Sequence, residues 1–355
     1  MIFQNSIVRF IAFFIPDKHM RDSFVRSLSR KTKYRKLRED NKRLFAENAQ
    51  IRSELSALRR HIDQKFLSFT NVFYGLEDIK YNNPDLRLLQ EVDLMLLEQF
   101  KERCEKNNIQ YWLHAGTLLG AVRHGGFIPW DDDVDIAMTR ENFAKLESAL
   151  SNDKEMVLNY HYIVNYCQKI GRVYFRDLCP KATNKDLVFL DIYIYDFLDI
   201  DDTKEFQHVF NKALAEMNEE MSALRSSENL EMDNRSYLKL DPKEAKKSNL
   251  DKLFTRFMAN FEIKSKGGYL KNLTHYPDRP AIVRSSAVFP LKSISFEGKE
   301  YTVPNNTDEY LRGMYSNYLI LRTDAGFSHH RSLVSRYEHI QALRNFISAH
   351  GKQND

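Results

Sequence analysis

Four aspartates stand close together in the segment FIPWDDDVDIAM, residues 127–138. If residues 133–138 form a strand, Asp133 and Asp135 lie on one face, while the apolar side chains between and after them point into the core. Two carboxylates on one strand face repel each other unless a cation lies between them. Carboxylate oxygens suit Mg²⁺ or Mn²⁺, held together with substrate phosphate. We therefore predict a divalent metal at Asp133 and Asp135, with a solvated acidic loop as the alternative.

A phosphate-binding turn is predicted just before these acids. The segment from Tyr111 to Leu113 reads as a short strand that stops at Gly116, and Thr117 is expected to cap the short helix LLGAVRH. The free backbone N–H groups and the positive dipole end of such a helix favour a phosphate. The sequence thus predicts phosphate beside the metal.

A third carboxylate is expected from a neighbouring strand. Residues 187–197, LVFLDIYIYDF, are rich in β-branched and aromatic residues and predict a buried strand. Asp191 lies in its middle, where a lone carboxylate costs several kcal/mol unless it is paired or bound to metal. We predict Asp191 as a third ligand or general base. Asp196, near the strand end, is the weaker alternative.

The elements that position these groups predict an α+β fold, a small mixed sheet flanked by helices. Residues 85–110 have the apolar spacing of an amphipathic helix. Residues 200–265 are helical by periodicity and charge and are interpreted as a helical insertion. A helix and tail are expected at 336–355. With 355 residues, 43% of them hydrophobic and 29% charged, the composition is globular.

The N-terminal residues form a separate, basic arm. Residues 1–70 hold 16 Lys and Arg against 7 Asp and Glu, whereas the remainder holds 37 against 42. In residues 1–33 an apolar run precedes clustered basic residues, which predicts a segment lying on a membrane surface. A helix packed on the protein's own body is the alternative. The acidic balance of the body disfavours nucleic acid as its partner.

A heptad pattern follows over residues 34–70. Position d holds Leu37, Leu44, Ile51 and Leu58, and position a includes Asn41, Asn48 and Leu55. Leucine at d with Asn at a predicts a parallel two-stranded coiled coil, hence a homodimer. A single long solvated helix is the alternative. Residues 71–84 read as the linker into a catalytic domain at 85–335.

The location expected for the chain is the cytoplasm, on the inner face of the cytoplasmic membrane. Its three cysteines (Cys104, Cys167 and Cys179) form neither a C-x-x-C pair nor an even disulfide framework, which suits a reducing compartment. No stretch approaches the roughly 18 apolar residues of a spanning helix. The basic arm would supply the membrane contact.

The spacing G-T-x₁₅-D-V-D, with a further Asp on a later strand, resembles the active-site signature of the nucleotidyltransferase superfamily. The longer string HAGTLLGAVRHGGFIPWDDDVDIAM, residues 114–138, resembles the LicD family, which includes bacterial phosphocholine transferases and fukutin-related proteins. The likeness continues more loosely to about residue 330 and leaves out residues 1–70. It implies a nucleotidyltransferase-like sheet and a metal-dependent transfer reaction.

The resemblance assigns roles to particular residues. Gly116 and Thr117 would hold phosphate. Asp133 and Asp135 would bind metal, with Asp131 joining directly or through water. Arg123 and His124 would contact a diphosphate. The alternative for either residue is that it caps the end of the helix. A spaced basic set would face the site, unless it is a solvated strand edge; its members are Lys169, Arg172 and Arg176.

The implied reaction moves phosphocholine from CDP-choline to a sugar hydroxyl of a surface glycan such as lipopolysaccharide, capsule or teichoic acid. Asp191 would help to remove the proton of that hydroxyl. Transfer of ribitol- or glycerol-phosphate from its own CDP donor is the nearest alternative, because the metal contacts only phosphates. A more distant alternative is a membrane-tethered scaffold whose acids are structural.

Overall fold

The computed structural model describes residues 17–23, 84–179, 187–201, 203–228, 237–274, 282–315, 317–319 and 337–350, together with residues 44, 48, 50, 51 and 55. The chain divides into two compact units, residues 1–69 and residues 70–355. Among the described residues, no helix combines the length and the apolar character needed to cross a membrane.

The smaller unit is helical at each described residue after Asp17. Leu44, Ile51 and Leu55, at predicted heptad positions d, d and a, are exposed to 54%, 52% and 59%. The rest of the heptad seam and most of the predicted membrane-surface segment lie outside the described residues, as does the linker before Pro84. The coiled coil, the dimer and the membrane contact therefore stay predictions.

In the larger unit the described residues form an eight-stranded mixed sheet in the order β1-β2-β5-β4-β3-β6, with β7 paired to β5 and β8 to β7. The strands are β1 (Trp112–Leu113), β2 (Val134–Thr139), β3 (Met156–Ile163), β4 (Gln168–Phe175), β5 (Leu190–Leu198), β6 (Tyr237–Leu240), β7 (Tyr269–Asn272) and β8 (Ile282–Arg284). Strands β2 and β5 run parallel, and the other pairs are antiparallel. A separate hairpin pairs β9 (Lys292–Phe296) with β10 (Lys299–Val303).

Helices flank this sheet, so the predicted mixed α+β architecture is confirmed. They are α1 (Pro84–Lys106), α2 (Ala115–His124), α3 (Arg140–Leu150), α4 (Thr203–Glu228), α5 (Pro242–Lys247), α6 (Asn249–Met258), α7 (Ser285–Val288), α8 (Thr307–Tyr315) and α9 (Tyr337–His350). Helix α9 packs against α1. The segment 200–265 is not wholly helical, because it also supplies β6, which pairs with β3 at the edge of the sheet. A strand of four residues is too short to show a clear period in the sequence.

The two faces of the sheet differ in what covers them. Residues directly opposite one another on paired strands share a face, so Asp135, Asp191 and Arg172 lie in one row. We call this side of the sheet the acidic face. On the other face, Phe143 of α3 lies against Gly171, where an added Cβ would come within 2.7 Å of the ring. We call this second side of the sheet the helix-covered face.

Asp196 lies on the helix-covered face, because it is five positions along the strand from Asp191 and side chains alternate along a strand. Its buried carboxylate accepts hydrogen bonds from Arg140 Nε at 2.5 Å and Arg140 Nη2 at 2.8 Å. Burial raises the pKa of Asp196, and Arg140 opposes that rise. The weaker candidate for the third ligand is therefore part of a structural ion pair.

We expect Arg140→Met to destabilise the protein by about 3 kcal/mol, the lower end of the range for breaking a buried pair, since Arg140 is partly exposed. The loss leaves Asp196 buried without its counter-ion. Urea unfolding of the purified variant measures the change. Arg284→Met, which breaks a more exposed pair with Glu309, should cost below about 1 kcal/mol. Equal losses in the two variants would contradict the prediction.

Candidate active site

Three aspartates meet on the acidic face, close to the first residues of β2 and β5. Asp133, Asp135 and Asp191 each offer a carboxylate oxygen, and these atoms lie within 4.8 Å of one another. A second group with the same spacing consists of Asp131, Asp132 and Asp133. Asp133 thus belongs to both groups, and the structure brings together all four aspartates predicted as metal ligands.

The parallel pairing of β2 with β5 explains why these acids meet. The register places Asp135 directly opposite Asp191, and Val134 opposite Leu190. Val134 and Leu190 are fully buried, so packing on the helix-covered face fixes the register that brings the two carboxylates together. Asp133 comes immediately before β2, and its carboxylate lies beside those of Asp135 and Asp191.

The Gly-Thr turn is tied to Asp135 by hydrogen bonds. The backbone N–H of Gly116 donates to Asp135 Oδ2 at 3.2 Å, and the backbone N–H of Asp135 donates to Thr117 Oγ1 at 2.8 Å. Helix α2 begins at Ala115 with His114 as its N-cap residue, so the prediction that Thr117 caps the helix is wrong. The hydroxyl of Thr117 binds the neighbouring strand instead of a helix N–H. The amino end of α2 nevertheless lies beside the acidic cluster.

The residue before α2 is held by an aromatic cluster. His114 Nδ1 lies 2.8 Å from the hydroxyl of Tyr310, which also accepts a hydrogen bond from Trp112 Nε1 at 2.9 Å. Burial lowers the pKa of His114 to about 3, so its imidazole is neutral. The ring also packs on Tyr193, with 4.4 Å between centroids. These contacts fix the position from which α2 starts.

Burial and mutual repulsion make the acids hard to ionise together. Burial, followed by the charge of Asp191, raises the pKa of Asp135 to about 7, while hydrogen bonds from Gly116 and Tyr193 lower it. Burial and the charge of Asp135 raise the pKa values of Asp131 and Asp133 well above their usual range. Such a cluster is stable in ionised form only with a nearby cation.

The donor set fits Mg²⁺ or Mn²⁺. Each candidate ligand is a carboxylate, the type that these hard cations prefer. Asp131 Oδ2 is buried and makes no hydrogen bond within the part of the chain that the structure describes. A bound cation would satisfy that oxygen. Asp131, Asp133, Asp135 and Asp191 are therefore the residues that would hold the metal.

The predicted basic set is divided between the two faces. Arg172 lies on the acidic face, where its Nε donates to Asp191 Oδ1 at 2.6 Å. Lys169 lies on the helix-covered face, forms an ion pair with Asp251 and has its ammonium 4.4 Å from the centre of the Tyr160 ring. Arg176 donates to the backbone carbonyls of Asp153 and Met156. The structure therefore brings only Arg172 of this set to the acidic cluster.

Arg123 and His124 form the last turn of α2, before Gly125 ends the helix with φ 67°. Arg123 Nη1 donates to the backbone carbonyl of Tyr318 at 3.1 Å. Burial lowers the pKa of Arg123, and the nearby charge of Asp131 raises it. Arg123 is therefore close enough to Asp131 for their charges to interact. Its hydrogen bond goes to Tyr318, which lies outside α2.

Three supporting residues could not be found from the sequence. Gln90 Nε2 donates to the backbone carbonyl of Asp131 at 2.8 Å, and Glu297 Oε1 accepts from the backbone N–H of Phe127 at 3.0 Å. Asp93 is fully buried, and burial and the charge of Asp132 raise its pKa. In the sequence these residues resemble ordinary polar positions of a helix and a turn. The hydrogen bonds of Gln90 and Glu297 hold the loop that carries the acids, whereas Asp93 acts on Asp132 through its charge.

The loop is also shaped by the close approach of Gly120 in α2. A Cβ there would lie 2.5 Å from the carbonyl oxygen of Gly126 and 3.1 Å from the nitrogen of Ile128. We expect Gly120→Ala to destabilise the protein by about 1–3 kcal/mol, as overpacking does. Thermal unfolding measures this, with Gly313→Ala as the control, because nothing lies within 4 Å of a Cβ at that position. A Gly120→Ala variant as stable as the control would contradict the prediction.

Comparison with known proteins shows what the part of the chain that carries this site is similar to. Residues 108–225 match the family model described as "LicD/FKTN/FKRP, nucleotidyltransferase domain". The lipopolysaccharide cholinephosphotransferase LicD of Haemophilus influenzae is 34% identical over 119 residues, which are 31% of this chain and 44% of that protein. The human ribitol 5-phosphate transferase FKRP is 49% identical over 43 residues, 12% of this chain and 9% of that protein.

An uncharacterized protein of Rickettsia prowazekii is 42% identical over 76 residues, 21% of this chain and 29% of its own length. The chain thus spans less than half the length of these curated relatives.

Proposed function

We propose that the chain is a metal-dependent transferase that moves phosphocholine from CDP-choline to a sugar hydroxyl of a cell-surface glycan, because residues 108–225 match the LicD family model. The observation that carries the proposal is the meeting of Asp133, Asp135 and Asp191 beside the amino end of α2. A carboxylate cluster and a helix N-terminus are complementary to a cation and a phosphate. We further propose that the sheet is of the nucleotidyltransferase type.

In the proposed mechanism, Asp131, Asp133, Asp135 and Asp191 hold the metal. When bound, Mg²⁺ or Mn²⁺ would neutralise charge on the phosphorus under attack and on the departing CMP. The amino end of α2 orients the donor phosphates. Gly116 allows the close approach of Asp131 to this end of the helix, since a Cβ there would lie 2.9 Å from Asp131 Oδ2. Arg123, with His124 beside it, adds positive charge at the other end of the helix.

Asp191 has two proposed roles, metal ligand and acceptor of the proton from the sugar hydroxyl. The position of its carboxylate oxygen, within 4.8 Å of oxygens from Asp133 and Asp135, supports the first. An ionised carboxylate also accepts a proton when the hydroxyl is placed against it. Lys169 is left out of the proposed donor site, because it lies on the helix-covered face.

Ribitol-phosphate transfer is the second candidate, and the match to the ribitol 5-phosphate transferase supports it. The two reactions share the phosphates that the acidic cluster would engage and differ only in the alcohol beyond them. A lipid-linked acceptor at the inner face of the cytoplasmic membrane would suit the basic arm of residues 1–33. Dimerisation through residues 34–70 would place two such arms side by side.

The test is release of CMP from a panel of CDP donors with Mg²⁺ and crude membrane glycolipid as the acceptor. Release from CDP-choline alone, lost with EDTA, is the expected result. Release only from CDP-ribitol or CDP-glycerol would keep the mechanism and replace the substrate. Without release from any donor and without divalent metal binding, the acids would be structural and the chain a scaffold.

A further inference from the structure

Arg172 places a positive charge against the carboxylate that is proposed as the third metal ligand. Its Nε lies 2.6 Å from Asp191 Oδ1 and its Nη2 lies 3.4 Å from Asp191 Oδ2. The guanidinium carbon is 4.0 Å from the centre of the Phe189 ring. The Arg172 side chain is only 12% exposed. The arginine is thus a fixed part of the acidic face.

The same carboxylate has to serve the cation. An oxygen of Asp191 lies within 4.8 Å of oxygens from Asp133 and Asp135. Arg172 also lowers the pKa of Asp135, so its charge acts on the cluster beyond Asp191. A divalent cation bound among these three acids would therefore lie close to a guanidinium of the same sign. Arg172 and a bound cation would therefore compete electrostatically for Asp191.

A second arginine–aspartate pair involves the same strand, β5, and offers a comparison. Arg140 donates hydrogen bonds to Asp196 through the same two nitrogen atoms, Nε and Nη2, on the helix-covered face. Among the described residues, neither group of acids that could hold a metal ion includes Asp196. Arg140 therefore belongs to a structural ion pair, whereas Arg172 pairs with a carboxylate that also belongs to a potential cation site.

We propose that Arg172 is a positioning residue that acts as an internal counter-ion for Asp191 and keeps the nucleotide-free site weak for divalent cations. The donor's phosphates, themselves anionic, supply a second partner for the guanidinium. When they are present, the repulsion between Arg172 and the cation is offset and both ligands bind more tightly. Linkage makes this tightening reciprocal. The proposal rests on the proposed function for the identity of the cation and the donor.

The size of the effect follows from Coulomb's law. At a separation of about 5 Å, a unit charge and a divalent cation repel by an amount that corresponds to at least tenfold in affinity, even with the dielectric constant of water. A less polar surrounding makes the repulsion larger. Removing the charge should therefore strengthen cation binding in the absence of nucleotide.

The experiment measures Mn²⁺ binding to the full chain by electron paramagnetic resonance, without nucleotide and without an activity assay. Arg172→Gln is expected to bind Mn²⁺ about tenfold more tightly than the wild type. Arg172→Lys, which keeps the charge, is expected to stay close to the wild type. Arg140→Gln is the matched control on the opposite face, and it should leave Mn²⁺ affinity unchanged. Equal or weaker binding by Arg172→Gln would overturn the proposal.

A second measurement uses the wild type alone and does not depend on the folding of a variant. CDP should strengthen Mn²⁺ binding to the protein, after correction for the Mn²⁺–CDP complex in solution. Tight Mn²⁺ binding that CDP leaves unchanged would overturn the role of Arg172 and spare the metal site. Absence of Mn²⁺ binding with and without CDP would instead overturn the metal site, and with it the proposed function.

Discussion

Asp133→Asn is expected to reduce transfer by about 10²- to 10³-fold or more while the protein stays folded. Asp133 is the residue shared by the two groups of aspartates, so its loss removes a ligand from both. Removing one preorganised electrostatic contact with a developing transition-state charge typically costs that much in turnover. The measurement is the initial rate of CMP release from the donor that the panel identifies.

The matched control is Asp201→Asn, an exposed aspartate shortly after β5, which should keep the wild-type rate. Asp133→Asn should also unfold at a higher temperature than the wild type when both are free of metal, because one carboxylate of a mutually repelling cluster has been removed. A variant that retains the wild-type rate would exclude Asp133 from the reaction. A variant that loses both the rate and the fold would show a structural role instead.

Mg²⁺ is expected to stabilise the protein by several degrees at pH 8 and very little at pH 5. In the folded state the pKa of Asp135 is raised to about 7, and those of Asp131 and Asp133 are also raised. Between the unfolded pKa near 4 and the folded pKa, the folded protein binds more protons than the unfolded chain. The contribution of the cluster to metal-free stability therefore falls as the pH rises through that window.

Ionisation of these carboxylates is also what creates the metal site. Each pKa unit is worth about 1.4 kcal/mol, so the cost that Mg²⁺ can offset at pH 8 amounts to a few kcal/mol. Below pH 5 protons occupy the carboxylates and exclude the cation. Differential scanning calorimetry at the two pH values, with EDTA or with Mg²⁺, gives the four melting temperatures.

Asp133→Asn combined with Asp135→Asn provides the control for this experiment. The double variant should lose the Mg²⁺ effect at pH 8, while the carboxylates outside the cluster titrate as before. The difference between wild type and double variant thus isolates the cluster. Equal stabilisation by Mg²⁺ at pH 5 and pH 8 would contradict the pKa directions derived for these acids.

The alternation of side chains along a strand predicts which of two neighbouring charged residues can face the acidic cluster. Lys169 and Arg172 are three residues apart, and Asp191 and Asp196 are five apart. Odd separations in a strand place side chains on opposite faces, as the structure shows for both pairs. Once residues 168–175 and 190–198 are recognised as strands, only one member of each pair can face the acidic cluster.

The sequence by itself determined the elements and the candidates. Aspartates interleaved with apolar residues predicted β2, the β-branched run at 187–197 predicted β5, and the Gly-Thr turn predicted an α2 that begins near the acids. These are local features, since a period of two or of 3.6 residues is set by neighbours in the chain. They suffice to predict a mixed α+β fold and a cluster of carboxylates.

Only the tertiary structure decided which groups meet. The register of β2 against β5 sets Asp135 beside Asp191 and follows from the packing of both strands in the core. The pairing of β4 with β5 sets Arg172 against Asp191. Gln90 and Glu297 reach the acidic loop from elements 41 and 170 residues away along the chain. Such contacts depend on how distant elements pack, and no local pattern of residue types encodes that packing.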